Sequence, residues 1–124
     1  MGIFETAEKF FEACETGKGW EGCAEYCTDD ASFAAEAVAL EEIKTLEGYA
    51  EWMRVLFDRV SDVSYEVKGF AADEPRGVVL AFGVFKGTPI GDGEQKSFST
   101  NYVYSIEFEG EKIGHVTKIW NDTY

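Results

Sequence analysis

The 124-residue sequence predicts one α+β domain, with helices over its first half and an antiparallel sheet over its second. Three observations carry this. Apolar residues recur at helical spacing until about Val60, then alternate or run together as strands. Short Gly- and Pro-bearing turns separate the later runs. Hydrophobic residues make up 45% of the chain and ten residues are Phe, enough for a packed core without disulfide staples. No repeat, linker or low-complexity tract divides residues 1–124.

Phe4, Ala7, Phe10, Phe11 and Cys14 form the apolar face of a first helix, which Gly17 ends. Trp20, Cys23, Ala24 and Cys27 continue as a second, short helix up to "TDD". "ASFAA" reads as a short extended piece. "EAVALEEIKTL" has helical propensity but a position that suits a flap or loop, with Glu36, Glu41 and Glu42 on its solvated face. "GYAEWMRVLFDRV" is an amphipathic helix striped by Tyr49, Trp52, Met53, Leu56, Phe57 and Val60. Four strands follow as a meander: "VSYEVKGF", "VVLAFGVFKG", "SFSTNYVYSIEF" and "KIGHVTKIWND". "DEPRG", "TPIGDGEQK" and "EGE" join them. A strongly bent sheet with helices packed on its concave face encloses a cone, which is a pocket if side chains leave it unfilled.

Composition excludes several roles. A formal net charge of −13 repels phosphate backbones and anionic lipid, so no nucleic-acid and no membrane partner is expected. The first twenty residues are too charged for a secretion signal, and no apolar run reaches the ~20 residues of a membrane span. A cytoplasmic protein is the simplest expectation. Cys14, Cys23 and Cys27 are an odd set, read as small buried apolar residues rather than a disulfide framework. No His/Cys/Asp cluster has metal spacing, no nucleophile elbow occurs, and Gly91-Asp92-Gly93 is a turn rather than a phosphate cradle. Neither a metal nor a cofactor is expected.

The motif "YCTDDASF", Gly48 opening a helix, and the closing pair "YVYSIEFEGEKIGHVTKIWND" resemble the nuclear transport factor 2-like superfamily, and within it the SnoaL-like, polyketide cyclase-like group. The resemblance covers nearly the whole chain. It implies the cystatin-like cone fold, an apolar small-molecule pocket, and homodimerisation through the convex face of the sheet. It does not choose among isomerases, cyclases, dehydratases, hydrolases and binding proteins that share the cone. In the ketosteroid isomerase branch the base is an aspartate two residues beyond an apolar residue of the short strand. Here Phe33 is that apolar residue and Ala35 stands where the base would be. Glu36 comes one residue later, where only a bulge would turn it inward. The branch's hydrogen-bond donor on the penultimate strand matches Tyr104, a phenol able to donate to an oxyanion.

Alternation splits the last strand. Gly114, Val116, Lys118 and Trp120 share one face, and Ile113, His115, Thr117 and Ile119 the other. By the resemblance Trp120 and Lys118 face the cone, together with Tyr102 and Tyr104, while His115 lies on the convex face. The candidate catalytic residues are therefore Tyr104, Lys118, Glu36 and Asp122, and the candidate pocket residues Phe33, Ala35, Trp52, Tyr102 and Trp120. Each has a plainer reading. Trp52 and Trp120 are core aromatics, His115 an interface residue, Asp122 a solvated terminal acid, and Lys118 a solvent residue if the register shifts. The functional expectation is a cyclase- or isomerase-type enzyme acting on an oxygenated ring compound. The alternative is a non-catalytic small-molecule-binding or dimerisation module of the same fold.

Overall fold

A computed structural model describes residues 2–121, and Asp122 lies outside them. Helix α1 (Ile3–Glu15) buries Ala7, Phe10, Phe11 and Cys14, as its periodicity predicts. Gly17 closes it at a φ of 74°. A side chain there would be strained by that angle and would also meet the Phe57 ring at 2.5 Å. Helix α2 (Gly19–Cys23) is shorter than expected. A 3-10 turn, Ala24–Tyr26, follows it, and Cys27 already begins strand β1 (Cys27–Glu36). The ambiguous segment after β1 is a single 3-10 turn, Val38–Leu40, and then loop, so its place between elements overrides its propensity. Thr45 caps α3 (Leu46–Leu56) by accepting a hydrogen bond from the Gly48 amide at 3.0 Å.

Strands β2 (Val60–Asp73), β3 (Val78–Pro89), β4 (Phe98–Glu109) and β5 (Lys112–Trp120) form the expected antiparallel meander. The sheet order is β1-β5-β4-β3-β2, and β1 joins β5 in parallel, which makes the sheet mixed at that edge. The outer side of β1 is covered by the segment entering α3, where the Phe33 amide donates to the Lys44 carbonyl at 2.9 Å. Register shifts interrupt β1, β2 and β5. Such bulges add local twist, and they curl the sheet around α1 and α3.

One bulge corrects the reading of the last strand. Glu107 pairs with His115, but the next residue, Phe108, pairs with Ile113, so Gly114 is an extra residue in β5. Ile113 is thereby moved onto the concave face, where it is fully buried with Val116 and Lys118. Strict alternation had placed it on the convex face. Beyond the bulge the assignments keep their sides. Lys118 is buried, Ile119 is exposed, and Trp120 packs partly buried against the core. On β4, Thr100, Tyr102, Tyr104 and Ile106 are buried while Asn101 and Glu107 are exposed. All three cysteines are buried.

Candidate functional site

The concave face is mostly filled. Phe10 and Phe11 from α1, Tyr49 and Met53 from α3, and Tyr102, Tyr104 and Ile106 from β4 pack into one core. Phe33 is part of this filling, stacked on Tyr49 with centroids 4.3 Å apart, rather than a pocket wall. A cavity of about 90 Å³ remains toward the end of the cone where β5 finishes. Trp52, Leu56, Phe85, Phe98, Tyr102 and Trp120 line most of it, and among the described residues Lys118 is the only charged one in its lining. Trp52 and Trp120 meet edge to face across it, with centroids 6.2 Å apart.

Lys118 is 5% exposed. Its Nζ lies 4.7 Å from the centroid of Trp120 and 5.1, 5.3 and 5.5 Å from those of Tyr49, Tyr102 and Tyr104. Four π faces thus replace part of the hydration an ammonium loses on burial. Nζ donates a hydrogen bond of 2.8 Å to the Tyr49 hydroxyl. The Tyr49 and Tyr104 hydroxyls are hydrogen-bonded to each other, and Tyr104 donates to Glu15 Oε1. Because Lys118 has only protons to give and Tyr104 gives its own to Glu15, the chain has one consistent direction: Lys118 to Tyr49 to Tyr104 to Glu15.

Glu15 is the residue the sequence reading missed. Only 1% of it is exposed. Its Oε2 makes no hydrogen bond, and neither does the nearby buried Tyr102 hydroxyl. A signal was present. Glu15 stands four residues after Phe11 and next to Cys14, so it continues the buried stripe of α1, where a carboxylate is out of place. Burial raises the Glu15 pKa, against the opposing pull of Lys118 and of the Tyr104 and Tyr102 phenols. Burial likewise lowers that of Lys118, against the pull of Glu15. Both groups are pushed toward their neutral forms. The phenols of Tyr49, Tyr102 and Tyr104 are raised, first by burial and then by Glu15, which keeps them protonated as donors.

The other candidates fall elsewhere. Ala35 pairs with Lys118 on β1, but it borders a separate surface depression. Glu36 pairs with exposed Ile119 and is itself exposed, with no bulge beside it in the pairing of β1 with β5 from Ser32 on. Tyr104 is within the core rather than on the cavity wall, its hydroxyl committed to Tyr49 and Glu15. His115 lies on the opposite face of the sheet, bonded through Nδ1 to Ser32 Oγ at 2.7 Å and through Nε2 to Thr117 Oγ1 at 3.0 Å. Among the described residues no group of three His, Cys, Asp or Glu is placed to hold a metal, and no helix is long and apolar enough to cross a membrane.

Residues 7–116 match the model of the SnoaL-like domain. The chain belongs to the SnoaL-like family. Solved structures similar to this SnoaL-like chain include an uncharacterised cystatin-fold protein from Novosphingobium aromaticivorans. It is 24% identical with a TM-score of 0.71, over 96% of this chain and 98% of that one. A nuclear transport factor 2-like protein from Burkholderia thailandensis is 13% identical with a TM-score of 0.76, over 98% and 92%. A candidate SnoaL-like polyketide cyclase from Shewanella denitrificans is 13% identical with a TM-score of 0.73, over 96% and 90%. No curated protein matches the sequence. These likenesses establish the SnoaL-like cone, and the site must be argued from its own side chains.

The electrostatics of Glu15 give a pH dependence with a definite sign. A glutamate in the unfolded chain titrates near about 4.3. Since burial raises the folded value, the folded state holds this proton more tightly, and the associated stability is present at acid pH and lost as pH rises through the raised pKa. Urea unfolding of the wild type and Glu15→Gln, compared from about pH 4 to 7, should show the wild type losing stability relative to the variant as pH rises. A relative gain would mean that Lys118 and the phenols outweigh burial.

Proposed function

We propose that this SnoaL-like protein binds a compact, apolar ring compound in the cavity and holds its carbonyl or enolate oxygen against Lys118. The observation that carries the reading is the position of Lys118. Among the described residues it is the single charged one in an aromatic lining, and it is connected behind that lining to a buried carboxylate. A cationic donor in a dry site favours developing negative charge on oxygen, which is what enolisation, isomerisation and aldol-type cyclisation need. Tyr49, Tyr104 and Glu15 then serve as a proton store behind Lys118, with Tyr104 acting as a positioning residue through Tyr49. The cavity is small beside the roughly 300–1,000 Å³ of drug-sized sites, so a single-ring ligand fits best.

Para-nitrophenol carries an oxyanion on one ring and is a direct probe. Its binding should quench the fluorescence of Trp52 and Trp120, which border the cavity. Lys118→Met should weaken binding about tenfold to a hundredfold, the range for a hydrogen bond to a charged group. Tyr104→Phe should weaken it less, and His115→Gln should leave it unchanged. No quenching in the wild type, or unchanged binding in Lys118→Met, would overturn the reading.

We also propose a homodimer through the convex face. Phe82, Val103 and Ile119 stand side by side across β3, β4 and β5, with exposed Leu80 beside them, and a second copy would take this apolar stripe out of water. Ile113, which alternation placed on the same face as Ile119, is buried in the core and takes no part in this stripe. Light scattering at micromolar concentration should give twice the chain mass, and Ile119→Glu should shift it toward one. A wild type that stays monomeric would remove the proposal.

A further inference from the structure

We propose that Lys118 is a nucleophile that forms a Schiff base with a small apolar aldehyde or ketone lodged in the cavity. The inference rests on the reading above that the cavity is the ligand site, and it assigns Lys118 a covalent role there. Four observations support it. Lys118 is part of the cavity lining, so a ligand can meet it. Among the described residues it makes no salt bridge: it donates a hydrogen bond to a neutral phenol, Tyr49, and Glu15 lies two tyrosines away. The rings of Tyr102 and Trp120, which line the cavity beside Lys118, lie 5.3 and 4.7 Å from Nζ, so the amine is next to the cavity's own walls. Burial also favours the free amine.

The proton balance can be written through the chain. The Lys118 ammonium passes one proton to Tyr49, Tyr49 passes its own to Tyr104, and Tyr104 passes its own to Glu15. Both tyrosines end neutral, and Glu15 ends protonated. The Lys118 lone pair then attacks the carbonyl carbon, and the carbonyl π pair moves to oxygen. The nitrogen gives one proton to that oxygen, forming a neutral carbinolamine. Glu15 returns its proton through Tyr104 to Tyr49, and Tyr49 gives its own proton to the carbinolamine hydroxyl, which leaves as water while the nitrogen lone pair closes the C=N bond. The sum is ammonium plus carbonyl giving protonated imine plus water, with no oxidant or reductant consumed. The imine withdraws electrons from the adjacent carbon, which makes that carbon acidic. It does so more strongly than a hydrogen bond to the carbonyl oxygen would. Glu15, Cys14 and the three phenols are the titratable groups around Lys118, and of these Glu15 and Cys14 raise its pKa while burial lowers it.

Benzaldehyde with cyanoborohydride tests this on the wild-type protein. The reductant converts an imine to a stable benzyl amine, and peptide mass spectrometry locates it. Near pH 6 the share of free amine, and with it the labelling rate, rises about tenfold for each unit by which burial lowers the Lys118 pKa. The expected result is one benzyl group on the peptide containing Lys118, well ahead of Lys9, Lys44, Lys68 and Lys96. In Glu15→Gln the loss of the nearby anion should move the midpoint of the labelling pH profile to lower pH. Adducts spread over exposed lysines with none at Lys118 would overturn the inference. A midpoint that stays in place in Glu15→Gln would overturn the part assigned to Glu15. Para-nitrophenol binding without labelling would leave the proposed ligand site standing and remove the Schiff base alone, whereas failure of both would remove both.

Discussion

The hydrogen bonds that run from Lys118 through Tyr49 and Tyr104 to Glu15 join β5, α3, β4 and α1 at one point in the interior. Two opposite charges inside an apolar cone are tolerated only when the groups around them satisfy them, because each costs several kcal/mol or more to desolvate alone. Here two phenols lie between them, and four aromatic rings surround the ammonium. The arrangement demands a defined register of β5 against β4 and a defined rotation of α1 and α3. A slip of one residue in β5 would turn Lys118 to the outer face and leave the Tyr49–Tyr104–Glu15 hydrogen bonds without the cation at their other end.

The same chain divides the cone in two. On the side of α1 the interior is closed, with Phe10, Phe11 and Ile106 filling it. Toward the end of β5 the packing loosens into the cavity, and Lys118 stands at the boundary. A polar network in a sealed core serves specificity of folding alone. One that ends at a cavity can also act on whatever enters it, and this is why the SnoaL-like site is drawn around Lys118 rather than around the outward-facing His115.

Much of the fold was legible in the sequence, for physical reasons that can be named. The stripes of α1 and α3 are strongly periodic, and the strands from Val60 onward are bounded by turn residues, so element types and order follow from pattern. Period-two alternation grouped Lys118 with Trp120 and Tyr102 with Tyr104, while the choice of which face is concave came from the family resemblance; Tyr102, Lys118 and Trp120 line the cavity. What could not be read locally depended on pairing. Nothing in "ASFAA" announces that β1 runs parallel beside β5, since its partner lies some eighty residues away. Nothing but Gly114 hints that β5 is bulged, and that one residue moved Ile113 from the outer face into the core. Glu15 was legible in principle, as an acid on an apolar stripe. It was passed over because a glutamate at a helix end next to Thr16 and Gly17 ordinarily faces water.

The most direct measurement is a titration of Lys118 itself by NMR, following its side-chain carbon and nitrogen signals with pH. The account requires that Lys118 lose its proton below the ordinary lysine range, since burial outweighs the Glu15 anion, and that Glu15→Gln lower it further. Titration of Lys118 with the exposed lysines, in both the wild type and Glu15→Gln, would contradict it.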